Sequence, residues 1–356
     1  MKKLQISVIN TLKSLKKQEV TSMRVAGFGE IMLRLSTDKG MMISNSTGLN
    51  VHYGGGEANV LISLSKFGID SRSITSVSND DIGDAIIGYL KSKDVETKFI
   101  SRSEKRTGIY FLQTGSGNRS SKVIYDRADS AFSNMKIDDL DIKEALDGVD
   151  IFHFSGITLA LSEELRSLTL KILKHCKENN IIVSYDSNYR AKLWSLEEAS
   201  KATFDILPYV NILSAGILDA ENILNMSCEY EDKYEKLNYY YGEISKLYPH
   251  IKHIFSSLRE NISVTVNTLQ CNYYSDNKLY SSKMHTIDDI VDRVGGGDAL
   301  TAGILYGVLN NKTPEYICEF ATSASVLKHS IKGDANLVST EEVETLMNHG
   351  VGKIAR

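Results

Sequence analysis

The chain has 356 residues, a net charge of -4 and a pI near 6.1, a balance that argues against a nucleic-acid-binding or anionic-membrane surface. Its 42% hydrophobic and 24% charged residues suit a globular protein that buries a full core, as one large domain or two. No apolar run is long enough to cross a bilayer, and Cys176, Cys228, Cys271 and Cys318 make no C-x-x-C pair, which points to free thiols in a reducing cytoplasm.

Residues 1–22, with Lys2, Lys3, Lys13, Lys16 and Lys17 and no continuous apolar stretch, read as a solvated leader, and Met23 as the working start. Arg24–Phe28 is an apolar run that ends at Gly29, as the first buried strand of a parallel sheet would. A loop-like segment to Tyr53 precedes Gly54-Gly55-Gly56-Glu57-Ala58-Asn59, a glycine turn opening a helix that Gly68 stops. Its backbone suits the hydroxyls of a polar ligand, with Asn59 reaching back from the first turn.

Strands are expected at 71–76, 149–155, 181–185 and 210–214, and helices at 80–93 and 162–179. That alternation implies right-handed crossovers and a parallel sheet covered on both faces. One region breaks it: 107–114 and 121–127 flank the turn Gly115-Ser116-Gly117-Asn118 as a hairpin. Paired with residues 31–53, the hairpin would form a small β lid over the sheet, or else an edge ribbon without function.

Residues 228–248 carry six tyrosines among charges and read as an amphipathic helix rather than a ligand box. Short strands are expected at 254–257, 262–266 and 272–274, then helices at 299–310, 314–330 and 340–348. His250 and His253 form an H-x-x-H with no second pair near, so a solvated turn is the better reading than a metal site.

Two stretches carry the chemistry. Asp186, Asn188 and Arg190 follow a strand directly, where ligands of α/β sheets bind, and arginine offers a planar fork for a carboxylate or phosphate. A structural alternative has Asp186 capping the turn and pairing with Arg190. The second is Asp292-Arg293-Val294-Gly295-Gly296-Gly297-Asp298, running into a helix. Three glycines and a helix dipole suit anionic oxygens, so a carboxylate there makes sense if it takes a proton while a hydroxyl attacks a phosphoryl group. The pattern is neither a P-loop nor a dinucleotide fingerprint, and a plain tight turn is its structural alternative.

Together Gly54–Asn59, Asp186-x-Asn188-Tyr189-Arg190 and Gly295–Asp298 resemble the signature regions of the ribokinase-like (PfkB) carbohydrate kinases. Phe28–Arg34, His52–Gly55, Phe154–Ile157, Asn188–Trp194 and Asp292–Asp298 are similar to those of 2-dehydro-3-deoxygluconate kinases within that family, over about residues 24–348. The resemblance implies a three-layer α/β sandwich with a mostly parallel central sheet, in a domain over 23–350 that carries an inserted β lid from about 31–53 and 106–130. It also implies transfer of the ATP γ-phosphoryl group to the terminal hydroxyl of a 2-keto-3-deoxy sugar acid with Mg2+, and pairing of two copies through their lids. Asp298 would be the base, with the N–H groups of Gly295, Gly296 and Gly297 as the anion hole. Gly55, Gly56, Asn59, Tyr110, Tyr125, Arg127 and Arg190 would hold the sugar acid. Asn188, Ser257, Arg259, Gly297 and Lys328 would meet the nucleotide. Where the family has Asn-x-x-Glu to order the magnesium water shell, this chain has Gly216-Ile217-Leu218-Asp219, which leaves Asp219 as an indirect metal group. The rival readings are a neutral-sugar kinase such as a fructokinase, and a sugar-acid-binding protein with weakened turnover.

Overall fold

The structure, a computed structural model, describes residues 23–350, so the expected leader at 1–22 lies outside the described residues. The main sheet follows the βα alternation. β1 (Arg24–Phe28) lies at its centre between β8 (Ile151–Ser155) and β4 (Asp70–Ser78), parallel to both. β5 (Val95–Ser103) extends one side, and β9 (Ile182–Asp186), β10 (Ile212–Ser214) and β11 (His253–Asn261) extend the other, all parallel. Beyond β11 the pairing turns antiparallel, through β12 (Asn267–Ser275) to β13 (Lys278–Ser281) and β14 (His285–Ile287).

Side chains alternate along each strand, so the sheet has two apolar faces and needs two layers of helix. Ala26, Phe28, Phe152, Phe154, Val183 and Tyr185 pack with helices Glu163–Glu178, Leu196–Ile206 and Lys233–Leu247 on one face. Val25, Ile151, Ile212 and Phe255 pack on the other with α1 (Gly56–Lys66), α2 (Asp81–Lys91), α3 (Gly296–Leu309), α4 (Pro314–Lys328) and α5 (Thr340–His349). Serine or threonine caps start several of these helices, among them Ser162, Ser195, Thr313 and Ser339.

A second sheet has the order β3-β2-β6-β7, from β2 (Met32–Ser36), β3 (Asn50–Gly54), β6 (Ile109–Gln113) and β7 (Lys122–Asp126). The hairpin is therefore real and joins 31–53 through a parallel β2–β6 pair. One expected strand fails: residues 262–266 form a turn closed by Ile262 and Ser263 N–H groups on the Val266 carbonyl, because β11 runs on to Asn261 and must reverse there to meet β12. β5, β13 and β14 had no expected counterpart. In the tyrosine-rich helix Tyr240 and Tyr241 are buried while Tyr234 and Tyr239 face outward, as an amphipathic surface helix requires.

Candidate active site

The first turn of α3 is built around Gly295, whose φ of 84° is left-handed and whose would-be Cβ falls 1.7 Å from the Asp334 carbonyl oxygen. Only glycine fits both constraints. The opening of α1 has a matching requirement at Gly55, where a Cβ would meet the Glu30 carbonyl oxygen at 2.0 Å. With no side chain on either turn, the two helix starts converge. Asn59 Nδ2, in the first turn of α1, donates to Asp298 Oδ2 at 2.7 Å across 239 residues of chain.

Asp298 lies partly open at this junction. Burial, with Glu57 and Asp334 nearby, pushes its carboxyl up to about 6 against the Asn59 hydrogen bond, which opposes the rise. Asp186, at the end of β9, is pushed up to about 7 by burial first and by the charge of Asp298 second. The next residue anchors the loop: Ser187 Oγ donates to Asp219 Oδ1 at 2.7 Å, and Asp219 Oδ2 accepts the Gly216 N–H at 2.7 Å. Asn188 then takes a left-handed φ of 38°, which asparagine tolerates better than most side chains.

A cavity of about 350 Å³ joins these parts, lined by Gly55, Gly56, Asn59, Tyr110, Tyr125, Arg127, Asp186, Asn188, Arg190, Gly295, Gly296, Gly297, Asp298 and Asp334. It is of a size that encloses a small ligand. The lid supplies Tyr110, Tyr125 and Arg127, and the sheet supplies Asp186, Asn188 and Arg190.

Several expected roles change once the partners are seen. Arg127 is buried and its Nε donates to Glu30 Oε2 at 2.7 Å, so its charge is already neutralised within the lid. Arg190 is exposed, bonds only to the Tyr189 carbonyl at 3.2 Å, and has no ion-pair partner among the described residues. The amide nitrogen of Asn59 is spent on Asp298 rather than left for a sugar, while its Oδ1 is buried without a partner among the described residues. Gly296 N–H makes a long 3.4 Å turn bond to the Arg293 carbonyl, which leaves Gly297 and Asp298 as the freer amides of the first turn. Asp219 spends both oxygens on protein donors, so it clamps the Ser187 loop instead of presenting an open metal ligand.

Ser257, Arg259 and Lys328 lie off the cavity lining. Ser257 is exposed on β11, and Arg259 overhangs the glycine turn, its Nη2 being 3.3 Å from where a Gly296 Cβ would stand. Lys328 departs furthest from expectation: it is fully buried and its Nζ donates to the carbonyls of Asp292 and Ile331, both at 3.2 Å. Enclosed behind Gly295, it braces the turn through these two carbonyls. Burial lowers its ammonium to about 8 despite the neighbouring Asp292 and Asp334.

What the sequence did not reveal is a buried charge network under the lid. Arg34 donates to Asp334 at 2.5 Å and to Asp292 at 2.6 Å, and Tyr110 Oη also donates to Asp334. Asp292 in turn accepts N–H groups from Val294 and Gly333, both at 3.1 Å. β2 and β6 are thereby fastened to the glycine turn. A signal existed: on the alternating strand β2, Arg34 shares a face with the buried Met32 and Ser36, so it must point inward to a partner.

A layered α/β sheet, a separate β lid, and a lone carboxylate at a three-glycine helix start define a carbohydrate kinase. Residues 23–341 match the pfkB family carbohydrate kinase profile, and the chain belongs to that family. The structure is similar to that of 2-dehydro-3-deoxygluconokinase from Thermotoga maritima, at 42% identity over 91% of this chain and 99% of that one, with a TM-score of 0.88. Among curated relatives it is 28% identical to 2-dehydro-3-deoxygalactonokinase of Haloferax volcanii, over 92% of this chain and 98% of the relative. It is 27% identical to probable fructokinase-2 of Arabidopsis thaliana, over 81% and 82%.

Proposed function

We propose that this chain transfers the γ-phosphoryl group of ATP to the terminal hydroxyl of a 2-dehydro-3-deoxy sugar acid, with 2-dehydro-3-deoxy-D-gluconate, phosphorylated at its 6-hydroxyl, as the leading substrate. The observation that carries the reading is Arg190, a guanidinium with no carboxylate partner among the described residues, on the same small cavity as Asp298. An acidic sugar needs a cationic fork at one end and a base at the other. The names of the Thermotoga and Haloferax relatives agree with a keto-deoxy acid and differ in the configuration of the sugar.

In this mechanism Asp298 takes the proton of the attacking hydroxyl. The substrate oxygen bonds to the γ-phosphorus as the bond to the bridging oxygen breaks, and the electron pair leaves with ADP. Amides at the start of α3 face the charge on the transferring group, and positioning supplies much of the acceleration. Asn59 holds the carboxylate of Asp298 in place. Tyr110 and Tyr125, whose rings lie 5.9 Å apart on the lid, line the cavity that receives the sugar acid.

Mg2+ fits the site's charge. Asp186, on the cavity wall, has its carboxyl raised by burial first and then by the charges of Asp298 and Asp219, so a cation beside it would offset that charge. The ion would neutralise phosphate oxygens when bound, held chiefly by the nucleotide, with Asp186 on the cavity wall as a protein carboxylate open to it.

Arg190→Ala is expected to raise KM for the keto-deoxy acid by about 10- to 100-fold, the worth of one charge-assisted hydrogen bond, with a smaller change in kcat. Steady-state ADP release measures it. A neutral-sugar kinase is a second reading because, of the two arginines expected at the sugar acid, Arg127 is already paired with Glu30 and only Arg190 is left to meet a carboxylate. ADP release on gluconate- and galactonate-derived keto-deoxy acids and on fructose decides between them. A higher kcat/KM on fructose would sink the acid assignment.

A further inference from the structure

The chain carries a net charge of -4, and the cavity at Asp298 is walled by two further carboxylates, Asp186 and Asp334. An acidic sugar nearing that cavity is repelled by them before its own carboxylate reaches Arg190. A second cavity, of about 600 Å³, opens beside the first and shares Val123, Tyr125, Arg127 and Arg190 with it. Its other walls are Lys122 and Ile124 of β7 and the turn Ala191-Lys192-Leu193, so no carboxylate lines it. β7 is the outer strand of the lid sheet, and side chains that alternate in direction along it all reach this space, because the cavity wraps the strand's free edge.

The cations of this second cavity are uncommitted. Lys122 and Lys192 are exposed and, among the described residues, have no ion-pair partner. Asp126, on the same strand as Lys122, is paired with Arg106 at 2.6 Å, and Glu30 is paired with Arg127. Lys192 is also held in place: Leu193 N–H donates to the Arg190 carbonyl at 2.9 Å and Tyr189 Oη to the Trp194 carbonyl at 3.2 Å, which closes the turn two residues from Arg190. Val123, Ile124, Ala191 and Leu193 supply apolar walls. Charge of one sign between walls of low dielectric focuses the field in the opening.

We propose that Lys122 and Lys192 make this cavity a cationic entry chamber, which draws in the sugar acid by its carboxylate, delivers it to Arg190, and so favours acids over neutral sugars at the moment of capture. The lysines act on arrival, and Arg190 holds the carboxylate once it is bound. The inference rests on the sugar-acid reading above and adds specificity groups outside the reacting cavity.

ADP release by the full chain on 2-dehydro-3-deoxy-D-gluconate, followed from about 20 mM to about 500 mM NaCl, tests it, because salt shortens the reach of exposed charges. Lys122→Gln/Lys192→Gln is expected to lower kcat/KM by about 3- to 10-fold at the low end and by less than about 1.5-fold at the high end, with the loss in KM rather than kcat. Lys122→Glu/Lys192→Glu should deepen the low-salt loss to about 10- to 30-fold, and Lys122→Arg/Lys192→Arg should restore it. Lys278→Gln/Lys312→Gln removes the same charge from β13 and from the loop between α3 and α4, and should leave kcat/KM within about 1.5-fold. A loss of equal size at both salt concentrations, a loss carried by kcat, or no loss at low salt overturns the chamber while leaving the sugar-acid reading intact. A wild-type chain that phosphorylates fructose but no keto-deoxy acid overturns both.

Discussion

Asp298→Asn is expected to lower kcat by about 10³- to 10⁴-fold with substrate affinity nearly unchanged, because the amide keeps the shape and loses only the basicity. The geometry makes the substitution clean. Asn59 Nδ2 donates to Asp298 Oδ2, and an asparagine can present its own carbonyl oxygen to that donor. Single-turnover ADP formation at saturating substrates measures the effect, and a loss below tenfold would remove Asp298 from the role of base.

The pH profile follows with a fixed sign. A general base works ionised, and Asp298 is pushed up to about 6 and Asp186 to about 7. Activity is therefore expected to fall as pH drops through 7 toward 6, with a limb that belongs to the pair rather than to either residue. Asp186→Asn removes a carboxylate from beside Asp298 and should shift that limb to lower pH. Stability runs the other way. Both carboxyls hold protons more tightly folded than unfolded, so their favourable contribution is complete below about pH 4 and is lost as pH rises through the folded values. At pH 8 the Asp298→Asn chain is expected to be the more stable by on the order of 1 to 2 kcal/mol, discounted because the group is partly open to solvent. Denaturant melts at pH 4 and pH 8 check this: the advantage should be present at the higher pH and absent at the lower.

Arg34→Met is the second large effect, and it concerns the lid. Arg34 is 2% exposed between Asp334 and Asp292, which hold its guanidinium above the ordinary arginine value although burial alone would lower it. Removing the cation leaves two buried carboxylates facing each other, at a cost of about 3 to 5 kcal/mol. The damage should spread, since the same carboxylates hold Tyr110 on β6 and the N–H groups of Val294 and Gly333. Loss of stability together with a raised KM for the sugar acid is expected from urea unfolding and steady-state kinetics. Destabilisation below about 1 kcal/mol would show that the lid is not fastened through this network.

Most of the main sheet was readable because its causes are local. Apolar runs of strand length alternate with capped helices, and crossover handedness then leaves few ways to arrange them. The boundaries at Ser162, Thr313 and Ser339 fall at capping side chains. The antiparallel end of the sheet was less legible, since β11 and β12 are set by where the chain reverses after Asn261, and the run 262–266 has strand-like composition but closes as a turn. Arg127 and Lys328 carry the right charge for phosphate or carboxylate, and nothing near them in the chain says that Glu30 and two main-chain carbonyls have already claimed them.

Sequence by itself determined the layered α/β architecture, the two glycine turns, the lid hairpin and the candidate base, all properties of short stretches with their own backbone and charge logic. Tertiary structure decided which charges remain free for a ligand. Asn59 meets Asp298 over 239 residues and Arg34 meets Asp334 over 300, and the strength and ionisation of such groups depend on burial and on neighbours that no local pattern encodes.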